Sequence, residues 1–148
     1  MYMPVLDRSL SDCRYGLATL AADGNATWVL QQLISDLRAP EEVTWVQIGL
    51  AGHVTELLFA GGHGGNVIVR CIQEFTSGDA EFIIDEICAR LMTCACDKQC
   101  NATLQILIGS ASDTQMVTFA NELVDNDRSV SLATDAVGNY FVQHVLDR

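Results

Sequence analysis

The chain has 148 residues, 49% of them hydrophobic, enough to bury the core of one ordinary domain and too apolar for a disordered segment. Eight basic against nineteen acidic side chains give a formal net charge of −11, with Lys98 the lone lysine. That balance excludes a protein whose affinity for nucleic acid rests on a broadly basic surface. No apolar run reaches the length of a membrane span, and the start, Met1 to Arg8, lacks the basic and apolar blocks of a signal peptide. A soluble, intracellular, cytoplasmic protein is expected, in which the six cysteines stay reduced.

The first informative element is Thr27-Trp28-Val29-Leu30-Gln31, entered through Asp23-Gly24-Asn25. Pro40, Glu41 and Glu42 then mark a helix start, since proline suits the first turn and carboxylates suit the positive end of the dipole. Val43, Val46, Leu50, Val54, Leu57 and Leu58 continue it at helical spacing, with a kink or break predicted at Gly49 and Gly52. A glycine turn, 61–65, leads into Asn66-Val67-Ile68-Val69-Arg70. A second helix reads from Glu81, its stripe formed by Ile83, Ile84, Ile87, Cys88 and Leu91. The turn at Asp97 to Cys100 opens Asn101-Ala102-Thr103-Leu104-Gln105. Ser112 and Gln115 have the spacing of a capping box for a third helix through Met116, Phe119 and Leu123. Last, Asp135 to Gly138 precedes Asn139-Tyr140-Phe141-Val142-Gln143.

The four five-residue windows begin 39, 35 and 38 positions apart. A period of that size is the signature of a solenoid, in which each repeat covers the apolar face of its neighbour. The predicted unit is a longer helix, a tight turn and a window helix, giving an all-α array. Within a window the first and fifth places lie one helical turn apart on one face. Each window therefore displays a polar pair while its third and fourth places pack. Asp23, Asp97 and Asp135 each stand four residues before a window, near a helix N-terminus that favours their charge.

The remaining motifs read as structure. Cys94 and Cys96 are two apart near a helix end and point to different faces, so with Cys100 they read as packed thiols and not as a zinc site. The glycine cluster lacks the lysine-serine ending of a phosphate loop. His53, His63 and His144 have no nucleophile in a recognisable order. No catalytic residue, cofactor or metal is predicted.

The last window, residues 135–146, resembles the core of a Pumilio (PUF) RNA-binding repeat. Residues 64–72 are similar to another, residues 97–107 to a third with Cys100 at the usual glycine, and residues 23–31 to a fourth with Ala26 there. Phe82-Ile83-Ile84-Asp85 resembles plant members. The resemblance implies an armadillo-like α-solenoid of about four Pumilio-type repeats in a single partial domain, 1–148, truncated at its C-terminal end. It implies that the first and fifth places hydrogen-bond base edges and the second stacks between bases, one base per repeat. By position the edge readers are Thr27 and Gln31, Asn66 and Arg70, Asn101 and Gln105, Asn139 and Gln143. The stacking places hold Trp28, Val67, Ala102 and Tyr140. Asparagine with glutamine is the family's uracil pair; glutamate at the fifth place, its guanine reader, is absent. The implied function is sequence-selective binding of single-stranded, uracil-containing mRNA of the 3′-UTR type and post-transcriptional control of translation, with neither DNA nor membrane as partner. A full PUF domain has eight repeats, so four imply weaker binding. The alternative is a degenerate PUF scaffold that binds other proteins through its acidic surface or exposed C-terminal edge, without RNA.

Overall fold

The computed structural model describes residues 16–125 and 128–148, which are helical with no strand among them. After a helical stretch at 16–22 come α1 (Ala26–Asp36), α2 (Pro40–Leu50), α3 (Val54–Ala60), α4 (Gly62–Glu74), α5 (Glu81–Ala89), α6 (Leu91–Cys96), α7 (Lys98–Ser110), α8 (Asp113–Asp125), α9 (Arg128–Thr134) and α10 (Gly138–Leu146). The windows fall on α1, α4, α7 and α10, which stack side by side in chain order. Helices α3, α6 and α9 form a middle row behind them, and α2, α5 and α8 an outer row.

The repeat therefore has three helices where the sequence suggests two. The longer helix of the first full unit breaks at Gly52, whose φ of +82° belongs to a conformation that side chains rarely adopt. Its two halves, α2 and α3, bend by 67°. In the next unit the break falls on Arg90 (φ −130°, ψ 33°). Bending brings the middle helix down onto its own window helix while the outer helix keeps packing sideways.

Local signals account for the helix starts. Glu42 accepts from the backbone of Ala39 and Arg38 at the Pro40 end. Ser112 and Gln115 exchange hydrogen bonds of 3.2 and 3.0 Å, the expected capping box. Asp23, Asp97 and Asp135 each turn a carboxylate onto the free N–H groups that open the next window helix. The core runs through all three rows without interruption, from Ile34 and Leu50 through Ile68, Ile84, Leu104 and Phe119 to Phe141. Phe119 and Phe141 meet edge to face at 5.8 Å, an arrangement worth about 0.5–1.5 kcal/mol beyond burial. Among the described residues no single helix is long and apolar enough to cross a membrane.

Candidate nucleic-acid interface

Three windows carry the same small circuit. Gln31 Nε2 donates to Thr27 Oγ1 (3.1 Å), Gln105 Nε2 to Asn101 Oδ1 (2.6 Å), and Gln143 Nε2 to Asn139 Oδ1 (2.9 Å). In the last two, backbone carbonyls set the sense of the circuit. Asn101 Nδ2 donates to the carbonyls of Ala95 and Val137, and Asn139 Nδ2 to those of Asp135 and Ala136. Only an amide nitrogen can satisfy a carbonyl, so each asparagine oxygen must face its glutamine. Each glutamine is then held by its nitrogen and presents Oε1, with its second N–H, away from the helix. Gln143 is exposed and Gln105 half-buried.

A second regularity links repeats. Thr27 Oγ1 donates to the carbonyl of His63 (3.2 Å), and Asn101 Nδ2 to that of Val137 (3.2 Å), each partner 36 residues further on. Val137 immediately precedes Gly138, where a Cβ would lie 3.1 Å from the carbonyl of Leu132. His63 immediately precedes Gly64, where a Cβ would lie 2.8 Å from the carbonyl of Leu57. Both glycines let a window helix press onto the middle helix before it, so Gly64 and Gly138 are the equivalent pair.

The second window therefore starts one residue earlier than its sequence suggests. Its first and fifth places are Gly65 and Val69, and Asn66 takes the second. The first places then lie 38, 36 and 38 residues apart, a more even period. Exposure agrees: Trp28, Asn66, Ala102 and Tyr140 all face outward, whereas Val67, read as a stacking residue, is fully buried like Phe141. Asn66 and Arg70 thus leave the edge-reading positions. Arg70 sits on the outward ridge with Gln32, Ile106 and His144, 3.7 Å from the Glu74 carboxylate. The glycine-asparagine pair Gly65-Asn66 misleads because it imitates Gly138-Asn139. The apolar phase Val67, Ile68, Cys71 and Ile72 holds the correct frame.

The first window needs a different correction. Thr27 and Gln31 are buried, 0% and 6% exposed, and bound to each other and to His63. The packing of α1 on α4 draws this pair inward, so it is not displayed. Trp28 beside it is 65% exposed and Tyr140 52%, and each offers an open aromatic face. Ala102 is exposed at the same place with almost no surface to offer.

Charge is sorted between the rows. Helices α2 and α5 carry Glu41, Glu42, Glu81, Asp85 and Glu86 and no base; α8 adds Asp113 and Glu122, also without one. Within the four window helices Asp36 and Glu74 stand against Arg70 and Lys98, and the capping Asp23, Asp97 and Asp135 add three carboxylates at the N-terminal ends of that row. Among the described residues Lys98 is the only base without an ion pair, hydrogen bond or ring contact. Asp23 and Asp135 titrate below the ordinary carboxylate range, chiefly through the N–H groups of Ala26 and Gly138. The thiols diverge as expected. Cys94 and Cys100, both free thiols, share a hydrogen bond in the interior, and Cys96 meets Asp135 of the next repeat.

An all-helical solenoid, among the described residues, with a polar circuit and aromatic faces repeated along one row defines a class: helical-repeat proteins. Within it, the model of the Pumilio-family RNA binding repeat matches residues 63–88 and 128–148. Over 131 residues, 88% of its length, the chain is 27% identical to a Pumilio domain-containing protein of Schizosaccharomyces pombe. It is 26% identical over 132 residues to Pumilio homolog 11 of Arabidopsis thaliana. It spans only 19% and 23% of those proteins. Among solved structures it is similar to the Puf4 RNA binding domain bound to the HO endonuclease RNA 3′ UTR recognition sequence (TM-score 0.79, 22% identity, 93% of this chain and 42% of that one). The RNA-binding domain of yeast Puf5p bound to SMX2 RNA is equally similar (TM-score 0.78, 22% identity, 94% and 40%). The structural likenesses establish the fold. The family model identifies residues 63–88 and 128–148 as similar to Pumilio-family repeats.

Proposed function

We propose that the chain binds single-stranded, uracil-containing RNA along the row of window helices and acts in post-transcriptional control of mRNA in the cytoplasm. One observation carries this reading: the anchored amides of Asn101/Gln105 and Asn139/Gln143 project the same glutamine edge at successive repeats. An outward Oε1 beside an N–H complements the N3–H and a carbonyl of uracil. Tyr140 and Trp28 supply stacking surface worth about 1–3 kcal/mol per base. The window helices carry as many bases as acids along their length, and the aspartates at their N-terminal ends are turned onto backbone N–H groups, so the repulsion of phosphates is weaker there than on the outer row. Thr27 and Gln31 contribute only if the first window opens. Asn66 and Arg70 contribute as ridge residues, Arg70 toward phosphate. Residues 1–148 act as one partial repeat domain in this reading, with no catalytic step.

The test is a binding titration of the chain with oligouridine and oligoadenosine at two salt concentrations. Preferential, salt-weakened binding to the uridine strand, lost in Tyr140→Ala and Gln143→Ala, is expected. Equal or absent binding, or indifference to both substitutions, would overturn the reading in favour of a protein-binding scaffold with an acidic outer row.

A further inference from the structure

We infer that base selectivity within this chain is confined to two adjacent nucleotides, and that Thr103 is the residue that blinds the second window. The two nucleotides are those facing the third and fourth windows, so the inference rests on the RNA reading above.

The warrant lies in one backbone carbonyl at each repeat boundary. Two residues before the first place of a window stands a carbonyl within reach of the preceding repeat. That of His63 accepts from Thr27 Oγ1 and that of Val137 from Asn101 Nδ2, both at 3.2 Å. At the boundary between the second and third windows the equivalent carbonyl is that of Gln99. The residue placed to reach it is Gly65, which has no side chain. Instead Thr103, one turn after Gln99 on the same helix, turns its Oγ1 back onto that carbonyl at 3.5 Å. A Cβ on Gly65 would lie 2.9 Å from this oxygen and 3.2 Å from the Thr103 methyl group. Thr103 therefore crowds the volume in which a reading side chain of the second window would begin.

The consequence for a base is direct. Gly65 is buried, and Val69 at the fifth place is 8% exposed. Neither carries a side-chain donor or acceptor, and the Gly65 N–H is spent on the carbonyl of Gly61. A nucleotide opposite this window meets no polar edge. The first window presents none either, because Thr27 and Gln31 are buried against each other. Gln105 and Gln143 are one repeat apart, and one repeat reads one base. The ligand class is therefore RNA carrying a uridine dinucleotide. Nucleotides facing the first two windows are held without regard to base, by stacking on Trp28 and by the charge of Arg70.

The experiment titrates the full chain with oligonucleotides of one length that differ only in the number of adjacent uridines set in adenosine. One uridine should bind better than none, and a second should add about tenfold, the worth of one base edge. A third should add less than about threefold on either side of the pair. A third uridine worth as much as the second overturns the inference and leaves the RNA reading intact, whereas no gain from any uridine defeats both. In the variant Gly65→Asn/Val69→Gln/Thr103→Ala the circuit has room to form, and the third uridine should now gain about tenfold. The same gain without the Thr103 change, or none in a variant with parental circular dichroism, removes Thr103 as the determinant. Without RNA, Gly65→Ala should lower the melting temperature of the parent and spare that of Thr103→Ala. An equal drop in both backgrounds overturns the assignment.

Discussion

The second and fourth windows are built on equivalent helices of one row, each with a glycine pressed against a middle-row leucine, yet only one carries the anchored asparagine-glutamine circuit. In the fourth, Gly138 is followed by Asn139, whose amide is pinned by two carbonyls and passes the circuit to Gln143. In the second, Gly64 is followed by a second glycine. The asparagine is pushed one place on, and Val69 closes the turn where Gln143 stands. Glycine at the first place shifts the asparagine by one residue, about 100° around the helix, from the circuit position to the outward one. A short motif therefore carries its letters but not its phase; the phase belongs to the buried residues.

The sharpest way to break that comparison is to exchange core and ridge. Phe141→Ala should cost about 3–5 kcal/mol of stability, as a buried aromatic does. Its partner in the corrected frame, Val67→Ala, should also destabilise measurably in chemical denaturation. Tyr140→Ala and Asn66→Ala should stay within about 0.5 kcal/mol, as surface changes do. If Asn66→Ala proved costly and Val67→Ala silent, the frame inferred from Gly64 and His63 would be wrong.

On RNA, the same frame predicts unequal windows. Tyr140→Ala should weaken oligouridine binding by about 1–3 kcal/mol, and Ala102→Tyr should recover part of that amount. Gln143→Glu should move the base preference toward guanine, since a carboxylate offers two acceptors to the N1–H and N2–H of that base. Arg70→Gln should lower affinity equally for every sequence and reduce the salt slope by about 0.7 for a single strand. An altered base preference in Arg70→Gln would restore it as an edge reader.

The glycines sharpen the frame at smaller cost. Gly64→Ala must push a methyl group to 2.8 Å from the Leu57 carbonyl, so it should destabilise the fold. At Gly62, on the same helix with open space around it, alanine should be neutral or stabilising by about 0.5–1 kcal/mol. Thermal melts of the two variants separate the outcomes, and equal behaviour would remove the close approach as a marker of register.

Much of this architecture was legible from residues alone. The period, the helix starts at Pro40 and Ser112, the aspartate turns and the break near Gly52 all follow from local chemistry. The three-row arrangement did not, because the break at Arg90 has no glycine or proline to announce it. At the site, the Asn-Gln spacing exposed the third and fourth windows. Burial of Thr27 and Gln31 was illegible, because it depends on the His63 carbonyl brought in from the next repeat.

The smallest effect concerns the aspartate turns, which the second window replaces with Gly61 and Gly62. Asp135 is held below the ordinary carboxylate value by the N–H groups of Gly138 and Val137, and Asp23 by those of Ala26 and Asn25. A carboxylate with a depressed folded-state pKa stabilises the fold above its unfolded value of about 3.9 and loses that contribution as pH falls through the folded one. Asp135→Asn keeps an acceptor oxygen but no charge. It should melt below the parent at neutral pH, with the gap closing as the solution is acidified past the carboxylate range. No comparable pH-dependent gap should appear for Gly61→Asn, since no carboxylate serves that turn. A gap for Asp135→Asn that is constant with pH would mean that the side chain caps α10 through geometry alone, and the electrostatic share of the turn would be nil.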